Sequence, residues 1–495
     1  MSWLMKHRYA VSCLLVFVVL CLHTRNGLWY GDFWEHSAVV RELASEIVRP
    51  SHPQLLLDAP HAFYSPYTVL AALLARAFRA DAIGMLASMG LVNLGLWFVG
   101  LRLFVFSMVS KHRRATAFYT LILTLFWWGP FAWTGFGGFF HFGVLAYIIP
   151  YPSTFAVALA FIAIRWNQRR VETGRHGYII AIFFVAVITL ITHPLSFIFF
   201  TIGLVSQSCA DRGSVLRQLI LTGSLLSAVF LAAGFWPYFP VWNFFLFESG
   251  KYHFSNRLMY HQVLSKVWPA LLGVPLLIAS LKSDWRRPLV LMLATLSAIY
   301  GFGAISGQYA YGRLVSFIVL LLHIVIAERI AMLETTLPES LSARWFARWI
   351  VPIGVMAMGM LLFFKPLEFT INRALRHHPS TYENYQFLSK FTGQYEVVVA
   401  DIITSWMVPT FGGKVIATEH PLAFVPDYDV RRSDVERFFK RDAILAERQL
   451  IVQKYKAAYL LLNKSRGQHL LQPSMPSGRI TFENKSFLLI SLRPD

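Results

Sequence analysis

The residue types most able to do chemistry stand together at Gly31-Asp32-Phe33-Trp34-Glu35-His36, and the apolar residues after them, Ala38, Val39, Val40, Leu43 and Ala44, fall at helical spacing. Side chains three and four positions apart share a helix face, so a helix starting at Asp32 predicts that Asp32, Glu35 and His36 converge. Two carboxylates and an imidazole can carry acid–base chemistry or hold a divalent metal. Three donors on one turn need a fourth, which His52 or His61 could supply, although loop histidines are more often solvated or hydrogen-bonded. Asp is also favoured as a helix N-cap, and Glu35 three positions on gives the form of a capping box, so both readings stand at this point. Val39, Leu43 and Ile47 form an apolar stripe with which the helix could lie along a membrane surface.

The elements that must hold these residues follow from composition. The chain has 495 residues, 56% hydrophobic and 14% charged, with a mean hydropathy of +0.51. Soluble domains carry roughly a quarter charged residues, so an ordinary cytosolic enzyme is excluded and a polytopic α-helical membrane protein is expected. Lys and Arg number 45 against 26 Asp and Glu, a formal charge of +19. The basic residues sit in short clusters between apolar runs, the pattern of cytoplasmic membrane loops, and no nucleic-acid partner is expected. Cys13, Cys21 and Cys209 show no paired spacing, which argues against a disulfide framework or zinc knuckle. The apolar run 9–22 after Lys6, His7 and Arg8 imitates a signal peptide but lacks a small-residue cleavage site, and reads as a retained first helix.

Further apolar runs of bilayer length occur near 83–108, 115–133, 144–164, 177–192, 195–208, 217–234, 263–281, 287–304, 312–332 and 347–364. With the first helix they predict about 11–13 transmembrane helices of some 20 residues each. Basic clusters at 111–114, 165–170, 211–217, 282–287 and 344–348 mark cytoplasmic turns, which places the charged first loop, 23–65, outside. The segment 66–78 is short and interrupted by Arg76, and reads as a re-entrant or interfacial helix. After a transmembrane domain over 1–365, residues 366–495 change character: apolar runs of strand length at 397–400, 415–418, 459–462 and 487–492 alternate with helical patterns at 435–439 and 444–455. These predict a small extracytoplasmic α/β domain, which shows no nucleophile elbow or phosphate loop and is assigned to acceptor binding or structural cover.

Outer-side positive charge is concentrated in few places. Lys251 and Arg257 stand among aromatic residues, a combination suited to an anionic lipid headgroup, and Gly307-Gln308-Tyr309-Ala310-Tyr311-Gly312-Arg313 places Arg313 near the outer face, as a phosphate ligand or a snorkelling arginine. His141 lies in a Gly-rich stretch that permits close backbone approach.

The order of these features resembles the C-type glycosyltransferases, multispan enzymes that use polyprenyl-phosphate-linked sugars and include the protein O-mannosyltransferases and lipid A aminoarabinose transferases. The resemblance rests on the acidic first loop, then Ser51-His52-Pro53 and Pro60-His61-Ala62-Phe63-Tyr64-Ser65-Pro66 leading into the next membrane segment. It continues in a tail holding Asp401-Ile402-Ile403-Thr404-Ser405-Trp406 and Pro409-Thr410-Phe411-Gly412-Gly413-Lys414-Val415. It implies that Asp32 is the catalytic base or acceptor-positioning group, with Glu35 and His36 beside it, and that Arg313, Lys251 and Arg257 hold the donor phosphate. His61, Tyr64, His141, Tyr309 and Tyr311 would then line the substrate cavity. The implied activity is inverting transfer of a sugar from a polyprenyl-phosphate donor to a glycan, lipid or protein acceptor, in cell-envelope polysaccharide biosynthesis at the inner (plasma) membrane. The chain departs from the family in having no Asp-x-Asp pair in the loops between its spans, and in spacing Asp32 from Glu35 where an adjacent Asp-Glu is usual. Those departures leave open whether a divalent metal is used and what the acceptor is. A transporter or flippase, or a non-catalytic assembly factor, are the alternatives; few charges within the spans and no inverted repeat count against the first of them.

Overall fold

Inside a bilayer a single segment can satisfy all its backbone polar groups only as a helix, and the apolar runs fold accordingly. The computed structural model describes all residues except 1, 28, 30, 131–137, 212–213, 247–253, 282–286, 337–340, 363, 365–367, 369–370, 373–374, 376–382, 421, 469–472 and 494–495. The first ten helices are α1 (Ser2–Arg25), α2 (Phe33–Ser45), α3 (Pro66–Phe78), α4 (Ala82–Met108), α5 (Arg113–Phe126), α6 (Phe142–Ile148), α7 (Pro152–Thr173), α8 (Gly177–Thr192), α9 (Pro194–Ala210) and α10 (Val215–Ala233). Further long or paired helices follow at Val263–Leu271, Gly273–Leu281, Pro288–Ser306, Val315–Thr336 and Leu341–Leu362. The chain divides into two compact units: Met1–Gly27, Ala87–Trp236 and Glu248–His377 form the first, and Leu28–Leu86, Pro237–Phe247 and His378–Asp495 the second.

The first unit is helical. Among the described residues, five helices are long and apolar enough to cross a membrane: His7–Arg25, α4, α10, Pro288–Ser306 and Tyr309–Glu334. Shorter apolar helices accompany them, and the chain is a polytopic α-helical membrane protein with a small sheet near its C-terminus. The run expected as one span over 144–164 is bent, α6 and α7 meeting at 107°, because Pro150 and Pro152 withdraw backbone donors at the junction. The run 263–281 is likewise two helices, with Pro269 inside the first. Phe104, Phe161, Phe199 and Phe317, all buried, fix the middle of this unit. Their ring centroids lie 4.7 Å (Phe104–Phe161), 5.7 Å (Phe161–Phe199) and 4.2 Å (Phe199–Phe317) apart. Gly100 lets α4 approach α7 closely, since a Cβ there would lie 2.8 Å from the Ala158 carbonyl oxygen.

The second unit combines the first loop with the tail. Its sheet has five strands, β1 (Val397–Val399), β2 (Lys414–Val415), β3 (Ala457–Asn463), β4 (Arg479–Glu483) and β5 (Phe487–Ser491), in the order β2-β1-β3-β5-β4. β1 pairs in parallel with β2 and β3, whereas β5 is antiparallel to both β3 and β4. Helices Tyr428–Phe438 and Leu445–Lys454 connect β2 to β3, and Val435, Phe438 and Ile451 pack with Val397, Leu460 and Leu488 into one core. β2 is an edge strand, and the first loop covers it: Leu55 forms a parallel bridge to Val415, whose N–H donates to the Gln54 carbonyl at 2.8 Å. Gly412 and Gly413 turn the chain from helix Val408–Phe411 into β2; Gly413 has φ +79, where a Cβ would lie 2.8 Å from the Glu396 carbonyl oxygen. The segment 66–78 is the 13-residue helix α3, about 20 Å long and short of a ~30 Å hydrocarbon core.

α2 is docked on this sheet by a buried ion pair. Lys414 Nζ donates to Glu42 Oε2 at 2.8 Å and to the carbonyls of His52 at 2.7 Å and Pro53 at 3.3 Å. Ser51 Oγ donates to the other Glu42 oxygen at 2.6 Å. Thr410 Oγ1 donates to the Trp34 carbonyl at 3.0 Å and lies 2.7 Å from Ser37 Oγ, and Arg41 donates to the Pro409 carbonyl at 3.0 Å. Under α2 three imidazoles are buried. His36 lies against Phe63, 4.7 Å between centroids with the rings tilted, and His52 and His61 are 4.9 Å apart. Burial pushes His36 down to about 4 and His61 to about 3, and holds His52 well below its ordinary value.

Removing one partner of a fully buried pair strands the other charge. Lys414→Met is expected to cost about 3–5 kcal/mol in thermal unfolding of the full chain, with much of the loss recovered in the Glu42→Gln/Lys414→Met double variant. The buried imidazoles predict acid lability. The unfolded chain takes up protons below its ordinary histidine value of 6.5, whereas folded His36 and His61 stay neutral until about 4 and 3. The stability held above that value therefore falls with pH, by about 1.4 kcal/mol per pH unit per histidine. Unfolding midpoints measured between pH 7 and pH 4 should show this slope, and His61→Phe should flatten it; a slope unchanged in that variant would contradict the assignment.

Candidate functional site

Gly31, at φ +64, turns the chain into α2, and Trp29 stacks on Phe33 at 4.5 Å to hold that turn. Asp32 is the N-cap residue, yet its side chain makes no capping hydrogen bond. The carboxylate is therefore not spent on the helix end. One turn on, Glu35 is almost fully buried and its Oε1 lies 3.0 Å from Nδ1 of His420. The same nitrogen is 3.8 Å from Asp32 Oδ1.

His420 follows β2 along the chain and is held by its surroundings. Thr418 Oγ1 donates to the His420 carbonyl at 3.0 Å, Tyr428 donates to the Thr418 carbonyl at 2.6 Å, and the Trp406 ring meets the imidazole edge-on at 5.0 Å. The Glu35 carboxylate raises the His420 pKa to about 10, with Asp32 and Glu419 adding to the effect against partial burial. At neutral pH the centre is thus an imidazolium flanked by two carboxylates, of which Asp32 is the more exposed.

Asp32, Glu35 and His420 each offer one ligand atom, all within 4.8 Å of one another. Carboxylate oxygens with one imidazole suit a hard or borderline divalent cation, and His420 would have to release its proton to bind one. These three residues are the ones that would hold such a cation.

Of the residues singled out from sequence, Asp32 and Glu35 come together as expected. His36 lies in the buried layer beside Phe63, and the imidazole at the carboxylates is His420. His61 is in the same buried layer, its Nδ1 accepting from the Phe63 N–H at 3.2 Å. Tyr64 is buried, donates to the Ser51 carbonyl and faces Tyr238 at 6.0 Å. It lines a cleft of about 710 Å³ together with Arg49, Ser51, Asp58 and Tyr238.

A second group lies in the first unit. Arg313 sits in the 3-10 turn Tyr309–Leu314, its Nε donating to Asn256 Oδ1 at 2.9 Å. The Arg257 guanidinium is 6.0 Å from the Tyr309 ring centroid, and Tyr311 packs near Phe302. His141 precedes α6 and is fully buried, 5.2 Å from the Trp128 ring. Lys251 lies outside the described residues. His420 is the member of the Asp32–Glu35–His420 cluster that periodicity does not find. The available signal was a polar Glu419-His420 pair directly after the apolar run 415–418, the position beyond a parallel strand where ligands gather in α/β sheets.

No protein-family model and no curated protein matches the sequence. Solved structures do match. The crystal structure of the Archaeoglobus fulgidus oligosaccharyltransferase in its apo form superposes with a TM-score of 0.55 at 11% identity, over 94% of this chain and 70% of that one. The oligosaccharyltransferase AglB from the same organism, in complex with an inhibitory peptide and a dolichol-phosphate, gives 0.56 at 11% identity over the same shares. The chain therefore shares the fold of these archaeal oligosaccharyltransferase structures.

Proposed function

We propose that the chain is an integral membrane glycosyltransferase that moves a sugar from a polyprenyl-phosphate-linked donor to a glycan, lipid or protein acceptor. The reaction is placed on the outer side of the inner (plasma) membrane, with the domain over 366–495 on that side. The observation that carries this reading is an accessible Asp32 carboxylate, unused in capping, joined to a Glu35–His420 pair on a chain of oligosaccharyltransferase fold. One of the matching structures holds a dolichol-phosphate and a peptide.

The chemistry asks little of the protein. Asp32 takes the proton of the acceptor hydroxyl as its oxygen attacks the anomeric carbon. The bond from that carbon to the phosphate oxygen breaks in the same displacement, the electron pair leaves with the polyprenyl phosphate, and the anomeric centre inverts. Negative charge growing on the phosphate needs cationic groups, and Arg313, Arg257 and Lys251 are assigned to it because a guanidinium binds phosphate bidentately. Glu35 and the His420 imidazolium hold the Asp32 carboxylate in place, His36 supports α2 from behind, and a divalent cation on the same donors would polarise the reacting oxygens. His61, Tyr64, His141, Tyr309 and Tyr311 are assigned to the walls of the substrate cavity.

The test is Asp32→Asn in the purified full chain, offered a panel of radiolabelled undecaprenyl-phosphate sugars, with hydrolysis scored alongside transfer. Loss of a general base predicts a fall of about 10²–10⁴ with insertion into membranes unchanged. Transfer at the wild-type rate would remove Asp32 from its role.

A further inference from the structure

We infer that the groove between α7, α8 and α10 is a binding site for an anionic phospholipid whose phosphate pairs with Arg170. Arg170 lies in the last turn of α7 and is only 6% exposed. Its Nε donates to Asn167 Oδ1 at 3.0 Å and a terminal nitrogen donates to Gln218 Oε1 at 2.8 Å. Both acceptors are neutral amides. Among the described residues no carboxylate forms an ion pair with this guanidinium; Asp211 acts on it from beyond that distance.

A buried cation without an anion is unfavourable, and proteins almost always pair it. The surroundings indicate what supplies the anion. Arg170 and Asn167 stand at one end of a cavity of about 480 Å³ whose other walls are mainly apolar, among them Phe183, Phe184, Leu221, Leu225 and Ala228. From Leu221 to Ala228 the groove follows α10 for about 10 Å, at 1.5 Å per residue. Ile180 and Phe184 on its rim are 64% and 58% exposed, as side chains facing lipid would be.

A charged end and a greasy trough are the two halves of an acyl phospholipid. The N–H groups of the guanidinium that are left over from Asn167 and Gln218 can donate to phosphate oxygens, and the trough takes an acyl chain. Basic sites between helices at one membrane face select anionic headgroups in this manner, whereas a zwitterionic headgroup brings its own cation and gains less. Arg170 belongs to the basic cluster 165–170, which the charge pattern assigns to the cytoplasmic leaflet.

The experiment relipidates the purified full chain with an equal mixture of dioleoyl phosphatidylglycerol and dioleoyl phosphatidylcholine and counts retained lipids by native mass spectrometry. Wild type should retain phosphatidylglycerol about fivefold over phosphatidylcholine, the preference one arginine confers. Arg170→Gln and Ala228→Phe, the second filling the trough with a membrane-compatible side chain, should each bring the ratio close to one. Arg175→Gln, an exposed arginine just beyond α7, should keep it. No preference in wild type, or a wild-type ratio in either folded variant at Arg170 or Ala228, would overturn the inference. So would displacement of phosphatidylglycerol by equimolar inorganic phosphate, or by undecaprenyl phosphate, which would give the groove to a polyprenyl chain. Sugar transfer is not read, so the outcome is independent of the role given to Asp32.

Discussion

A lysine and a glutamate with almost no access to water, Lys414 and Glu42, decide where the first loop lies. Their side chains are 1% and 3% exposed, and the ammonium spends its remaining donors on two loop carbonyls. An ion pair this dry is retained only with near-complete hydrogen bonding, and it tolerates little displacement. Glu35 is seven residues before Glu42, two turns earlier on the same face of α2. Once Glu42 is fixed to Lys414 on β2, Glu35 is presented to the chain leaving β2, where His420 meets it. The contacts of Thr410 with Trp34 and Ser37, and of Arg41 with Pro409, support the same register.

The electrostatics of the two layers under and over α2 differ accordingly. Below the helix, His36, His52 and His61 are kept neutral by burial, with the Lys414 charge adding to the effect on His52 and His61. At its N-terminus, two carboxylates keep His420 charged. One helix thus separates imidazoles that resist protonation from one that retains its proton. This arrangement leaves Asp32, whose side chain makes no capping bond, as the more exposed of the two carboxylates beside His420.

Much of the fold was legible because it rests on local pattern. Long apolar runs became helices, and the runs at 397–400, 459–462 and 487–492 became β1, β3 and β5. β4 escaped notice, since it is an edge strand with Ile480 facing outward and carries no buried face to read. The bend between α6 and α7 was marked by Pro150 and Pro152 yet hidden by unbroken hydropathy. At the site, helical spacing correctly joined Asp32 to Glu35. Spacing also joined them to His36, whose ring packs against Phe63 in the interior and still feels the Asp32 charge. His420 lies 385 residues from Glu35, and no periodicity within a helix reports on a partner delivered by the tail.

The most direct test of the central claim is an experimental structure of the full chain bound to an undecaprenyl-phosphonate sugar that cannot be cleaved. The account predicts the sugar ring within hydrogen-bonding reach of the Asp32 carboxylate, with Glu35 still paired to His420. A sugar bound with full occupancy elsewhere, and Asp32 left facing solvent, would contradict it.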